Sequence, residues 1–379
     1  MNKYTTEIDT DLRNNLKFRL IETDSGDIMK TISRMELQDG MELAEPVEAA
    51  GNVIFKAGTK VTQAVISKLS HYDVIAVTIM EDVDYATTHN ERIQFDEDFK
   101  NFRVKYNDCL TRYKGVMLSY LGTKFSIPSQ NLIDIYEDCY STVKNEKQLL
   151  DFMYNLAPNE DELTYTQSFN AALLCGAFAN WLTLPEDKKR TLILCGFYYD
   201  IGKWKIPSEI LWKPGKLSDE EYALVKQHTL LGFQLVKHDT ALPEDIKMCI
   251  LMHHEKMDGS GYPCSIKGEK INEYARYLAI VDTYIAMASA RTFRLAFTPL
   301  QIIGEFEKNL NKYDTSILMP LIERISEAQI GTNVELNDGT EWEVMLINRD
   351  SYSRPMLRNT GNMIVNLSER TDLEIVKLL

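Results

Sequence analysis

The chain has 379 residues, too many for one small domain and enough for two or three. It carries 42 Lys and Arg against 56 Asp and Glu, a net charge of −14, with 44% hydrophobic and 26% charged residues. That balance excludes intrinsic disorder over most of the length and excludes a basic nucleic-acid binder, so no DNA partner is expected.

The first thirty residues contain Lys3, Glu7, Asp9, Asp11, Arg13, Lys17 and Arg19 and never form the apolar run of a secretory signal, which predicts a cytoplasmic protein. Residues 33–80 alternate short apolar runs such as Val53-Ile54-Phe55 with turn signals at Asp39-Gly40, Ala50-Gly51-Asn52 and Ala57-Gly58. A small β-rich N-terminal domain is expected over 1–89, with one helix, spaced from Thr62 to Leu69, packed on its sheet. Between 90 and 325 the patterns are helical. They are interrupted at Ser126-Ile127-Pro128-Ser129, Ala157-Pro158-Asn159, Leu184-Pro185-Glu186 and Leu242-Pro243-Glu244, each of which ends one helix and starts another. The most apolar stretch, Ala171 to Leu184, is broken by Asn180 and Thr183 and falls short of the roughly 18 apolar residues of a membrane span. It reads as a buried helix. After Gln329 alternation returns in Val334-Glu335-Leu336 and Trp342-Glu343-Val344 around the turn Asn337-Asp338-Gly339-Thr340. The fold class is therefore multidomain α+β, an all-α domain at 90–325 flanked by the N-terminal domain and a small β module at 326–379.

Six cysteines, Cys109, Cys139, Cys175, Cys195, Cys249 and Cys264, are scattered without a Cys-x-x-Cys pair and are read as free core thiols. The histidines are less evenly spread. Four of six, His228, His238, His253 and His254, fall within 27 residues of the helical domain. On a helix over 221–236, His228 shares a face with Leu224, Leu231 and Leu235. On a helix over 245–254, His253 shares one with Ile246, Cys249 and Ile250, and His254 lies next to it. Asp282 sits on the stripe of Leu278 and Ile285, and Asp200 closes the apolar run Leu192 to Tyr199, so both carboxylates are expected to be buried and to need a cation or donor. Inward imidazoles and carboxylates on several helices are the ingredients of a metal site in a bundle. His71, His89 and His238 match no such pattern and are assigned structural or solvent roles.

The run His253-His254-Glu255-Lys256-Met257-Asp258-Gly259-Ser260-Gly261-Tyr262-Pro263 resembles the signature of the HD-GYP family. The resemblance extends to Asp200-Ile201-Gly202-Lys203, Lys213-Pro214-Gly215-Lys216-Leu217, His228-Thr229-Leu230-Leu231-Gly232, Val281-Asp282 and Arg291-Thr292-Phe293-Arg294, covering about residues 160–310. It implies a helical HD-GYP bundle and metal-dependent hydrolysis of the bacterial messenger cyclic di-GMP to pGpG and GMP. It assigns the metal to Asp200, His228, His253, His254 and Asp282, and the catalytic roles to Asp200 and Lys203. It also implies that Lys203 meets a phosphate, that Tyr262 stacks or packs against guanine, that Arg291 and Arg294 hold phosphate or base edges, and that Gly261 and Pro263 shape the loop. Shorter similarities at Gly40 to Ala44, Gly58 to Thr62, Gly331 to Leu336 and Arg354-Pro355 match regions that accompany this domain.

The sequence departs from the family at three ligand positions, where Leu163, Gln167 and Tyr199 stand, and has Ile285 where a further acid is usual. An imidazole or carboxylate lost there is a metal bond that none of these replacements easily restores. The expectation is an eroded centre holding one divalent metal, iron, manganese or zinc, or none, with Tyr199 free to donate a hydrogen bond to Asp282. The first functional reading is a weak or inactive protein that binds cyclic di-GMP and signals through protein contacts. The alternatives are an active cyclic di-GMP phosphodiesterase and a scaffold that binds neither metal nor nucleotide.

Overall fold

The computed structural model describes residues 20–22, 28–34, 37–38, 40–49, 52–72, 74–80, 92–94, 96–123, 129–156, 163–211, 213, 215–289 and 296–379. They fall into two compact units, Met1–Ala86 and Thr87–Leu379.

In the first unit, β1 (Leu20–Glu22), β2 (Ile28–Ser33), β3 (Glu42–Leu43), a hairpin of β4 (Val47–Ala49) and β5 (Asn52–Phe55), α1 (Gln63–His71) and β6 (Ala76–Met80) follow in order. The main sheet is antiparallel in the order β1-β2-β6-β3, with Met29 opposite Met80 and Ser33 opposite Ala76. Alternation turns Val77 and Ile79 of β6 inward, where they meet Val65 and Leu69 of α1 in one core. The expected helix is present, but Thr62 lies outside it as the N-cap, its hydroxyl accepting from the Val65 amide.

The second unit begins with α2 (Glu97–Thr123), α3 (Ser129–Tyr140), α4 (Glu146–Asn155), α5 (Leu163–Trp181) and α6 (Glu186–Tyr198). A 3-10 turn, Ile201–Lys205, then leads into α7 (Ser208–Leu211), α8 (Asp219–Lys226), α9 (His228–Val236), α10 (Glu244–Met252), α11 (Glu273–Ala288), α12 (Pro299–Glu307) and α13 (Thr315–Glu327). Strands β7 (Asn333–Leu336), β8 (Glu341–Leu346), β9 (Met356–Arg358), β10 (Ile364–Asn366) and β11 (Ile375–Leu378) close it as an antiparallel sheet in the order β10-β9-β8-β7-β11.

Helix α5 is the centre of this unit, with every residue from Ala171 to Ala179 buried. Gly196 of α6 lets the two helices touch, since a Cβ there would lie 2.5 Å from the Ala172 amide nitrogen. Helix α6 therefore delivers Tyr199 and Asp200 into the interior. The C-terminal strands share the helical core through Val334, Leu336, Val344 and Leu357, and Gln301 of α12 donates to the Ile375 carbonyl at 3.0 Å. Among the described residues no helix is long and apolar enough to cross a membrane. Five cysteines are buried as expected, while Cys264 is exposed, because it belongs to a surface loop and not to a helix face.

Candidate metal centre

Asp200 follows the end of α6 and is completely buried. Its Oδ1 lies 3.5 Å from His228 Nε2 and 3.8 Å from His253 Nε2, and Lys203 Nζ lies 2.6 Å from Oδ2. None of these contacts is aligned as a hydrogen bond, so both oxygens lack a well-directed donor. Burial opposes the charged carboxylate, but Lys203, His228 and His253 outweigh it and hold its pKa below the ordinary value. Lys203 Nζ also faces Gln167 Oε1 at 3.5 Å.

Two glycines set the spacing. A Cβ on Gly202 would lie 1.9 Å from the His228 carbonyl oxygen, and one on Gly232 would lie 2.8 Å from the Ile250 side chain. The 3-10 turn thus packs backbone to backbone on α9, and α9 closes on the Ile250 side chain of α10, which brings His228, the first residue of α9, against His253, the C-cap of α10.

His228 Nδ1 donates to the Val225 carbonyl at 2.7 Å, and His253 Nδ1 donates to the Ile250 carbonyl at 2.9 Å. A carbonyl can only accept, so each Nε2 of the neutral rings carries a lone pair. These two nitrogens face each other at 3.2 Å, with the Asp200 carboxylate beyond them. His254 adds a third ring whose ligand atom lies within 4.8 Å of theirs. Burial keeps all three imidazoles neutral: His228 is pushed down to about 3, His253 is lowered, and His254 falls well below its usual value. Neutral rings are the metal-binding form. Facing lone pairs beside the buried Asp200 carboxylate, whose Oδ1 is turned toward them, fit one divalent cation. On the outer side His254 Nδ1 lies 3.8 Å from Asp282 Oδ2, where both side chains are one-fifth exposed.

The loop after α10 is held by Glu255, which is 2% exposed and accepts from the amides of Cys264 at 2.7 Å and Ile266 at 3.1 Å. Asp258 accepts from the Ser260 amide at 2.9 Å, and Gly259 has φ +81°, which makes a turn at 258–261. A Cβ on Gly261 would lie 2.4 Å from the His254 carbonyl oxygen, so the loop folds directly back onto the histidine pair. Tyr262, joined to Pro263 by a cis peptide, stacks on the His254 ring with centroids 4.6 Å apart and planes at 24°.

The HD domain family matches residues 151–317, which carry this entire arrangement. The chain is 30% identical over 217 residues to the cyclic di-GMP phosphodiesterase PA4108 of Pseudomonas aeruginosa, covering 56% of this chain and 51% of that protein. It is 36% identical over 126 residues to the cyclic di-GMP phosphodiesterase response regulator RpfG of Xanthomonas campestris, covering 33% of each. The matched segment, residues 151–317, is an HD domain of the HD-GYP family. The chain spans about half the length of the curated relatives it matches first. A solved protein of Bdellovibrio bacteriovorus, Bd1817, shares 15% identity at a TM-score of 0.48, over 78% of this chain and 99% of its own.

The structure gathers Asp200, His228, His253, His254 and Lys203 and places Asp282 at the edge of this cluster. Two sequence expectations change. The single helix over 221–236 is two, broken at Gln227, and the break lets the His228 ring turn toward His253. Asp282 is part exposed, not buried, because α11 runs along the rim at that turn. Tyr199 is fully buried in edge contact with His253, and its hydroxyl lies close enough to Asp200 and Asp282 to interact with both carboxylates. Burial first, then Asp200 and Asp282, holds its pKa well above the ordinary value, so it is neutral. Gln167 faces Lys203. Arg291 and Arg294 lie outside the described residues, as does His89, and the Leu163 side chain is likewise not described. His71 and His238 are exposed. Sequence reasoning missed Glu255 as the loop anchor and Gly202 as the spacer. An acid directly after two candidate ligands, and a glycine two residues after a buried Asp, were the signals available.

Proposed function

We propose that this HD-GYP protein binds cyclic di-GMP beside a reduced metal centre of one divalent cation, and hydrolyses it weakly or not at all. The observation that carries this reading is the set of three neutral imidazoles beside the buried Asp200 carboxylate, next to a closely folded Gly-Tyr-Pro loop. His228, His253, His254 and Asp200 would hold the cation, with iron, manganese and zinc all suited to such donors. When bound, it would supply Lewis-acid stabilisation of a phosphate oxygen and activation of a water.

The chain's own residues favour binding over turnover. Lys203 Nζ already neutralises Asp200 Oδ2 and faces Gln167, so that side of the carboxylate carries a fixed ammonium. Tyr199 is neutral and buried, and supplies neither an imidazole nor a carboxylate. Tyr262, held by its stack on His254, would present its remaining ring surface to a base, and Gly261 and Pro263 would fix that ring in place. Arg291 and Arg294 would add positive charge for a dianion approaching a protein of net charge −14. The activities named for the relatives agree with this ligand class.

The test is anaerobic incubation of the purified protein with manganese or ferrous iron and cyclic di-GMP. Expected are nucleotide binding, no more than one metal per chain, and no pGpG or GMP above a His253→Ala control. Turnover abolished by His253→Ala would make it an active phosphodiesterase, and binding of neither metal nor nucleotide would make it a scaffold.

A further inference from the structure

Beside the histidines, α8 carries a cation and an exposed ring that the metal centre does not use. The helix is fixed by a capping box between Ser218 and Glu221. It places Tyr222 and Lys226 one turn apart on the same side. Lys226 Nζ lies 5.0 Å from the Tyr222 ring centroid and 6.0 Å from that of Tyr262, the ring stacked on His254. Tyr222 is 50% exposed, a large aromatic surface in contact with solvent at the rim.

The neighbouring lysines are differently engaged. Lys203 is spent on Asp200, and Lys256 lies over the Tyr313 ring at 4.6 Å. Among the described residues Lys226 has no carboxylate partner within ion-pair distance and is held by two ring faces alone. A cation with no anion, between one ring of the centre and one ring in solvent, is the recognition chemistry of a purine nucleotide, in which phosphate meets ammonium and base meets π face. Cyclic di-GMP has two purines and two phosphates, so a molecule engaged at the centre through one half carries a second half outward.

We propose that Tyr222 and Lys226 form an outer subsite for that second half, with Lys226 Nζ pairing with a phosphate oxygen and Tyr222 stacking on the guanine. The subsite rests on the cyclic di-GMP reading and adds two residues that fix how the ligand extends from the metal centre.

Calorimetric titration of the full chain with cyclic di-GMP tests it, using Tyr222→Ala, Tyr222→Phe and Lys226→Met. Because the Tyr222 ring is half exposed, unchanged circular dichroism and melting are expected for all three. Tyr222→Ala should weaken binding about tenfold, as loss of one aromatic–base stack does, while Tyr222→Phe should bind as wild type. Lys226→Met should weaken binding and flatten its dependence on salt, since one ion pair open to solvent is gone. Wild-type affinity in both Tyr222→Ala and Lys226→Met would overturn the subsite and leave the cyclic di-GMP reading standing. Equal weakening by Tyr222→Phe and Tyr222→Ala would overturn the stacking role. A wild-type protein that does not bind cyclic di-GMP overturns both the reading and the subsite.

Discussion

Acid should destabilise the metal-free protein well above the pH at which carboxylates titrate. His228 titrates near 6.5 when unfolded and near 3 when folded, because burial excludes the imidazolium. Between these values the unfolded chain takes up a proton that the folded one refuses, so stability falls as pH falls through 6.5 and continues to fall toward 3. Integrating between pH 7 and pH 5 gives a loss of about 2 kcal/mol from His228 alone. His253 and His254 are lowered for the same reason and add to it. Asp200, whose folded pKa is depressed, loses its contribution as the pH falls from the ordinary carboxylate value through its lower folded value, outside this window. Urea unfolding followed by tryptophan fluorescence, with a chelator present at pH 7 and pH 5, measures the loss. His228→Gln should reduce it by about 2 kcal/mol, because its side chain does not titrate. Equal stability at the two pH values, or an undiminished loss in His228→Gln, would refute the account of buried neutral imidazoles.

The backbone contact at Gly202 predicts that Gly202→Ala, whose Cβ would overlap the His228 carbonyl, costs at least about 2 kcal/mol in urea unfolding and lowers metal content together with it. Glu255→Ala strands the amides of Cys264 and Ile266 and should cost about 1–3 kcal/mol, with weaker cyclic di-GMP binding in the same titrations; unchanged values would mean that the loop is held otherwise. Gln167→His combined with Tyr199→His should raise metal content above one per chain by elemental analysis, and no rise would mean that these positions do not limit the centre.

The helical centre was legible because its chemistry is local in sequence. Clustered histidines on apolar faces and an Asp ending an apolar run pointed inward, and in the structure His228, His253 and Asp200 are all buried. Element ends were harder to read. Periodicity carried one helix through 221–236, whereas Gln227 breaks it, since a pattern of apolar residues does not register an interruption of one residue whose backbone stays close to helical. The mild exposure of Asp282 depends on which side of α11 meets the rim, a tertiary fact. Lys203 facing Gln167 joins residues 36 apart that no spacing rule connects.

Glu255 grips the backbone of Cys264, and Cys264 holds the one exposed thiol among the six cysteines. A maleimide dye or spin label added to the native protein would therefore attach at one place, directly after the Tyr262-Pro263 pair, without any engineered residue. The wild-type chain carries its own reporter position, so ordering of the loop by metal or nucleotide becomes readable as a change in probe mobility or thiol reaction rate.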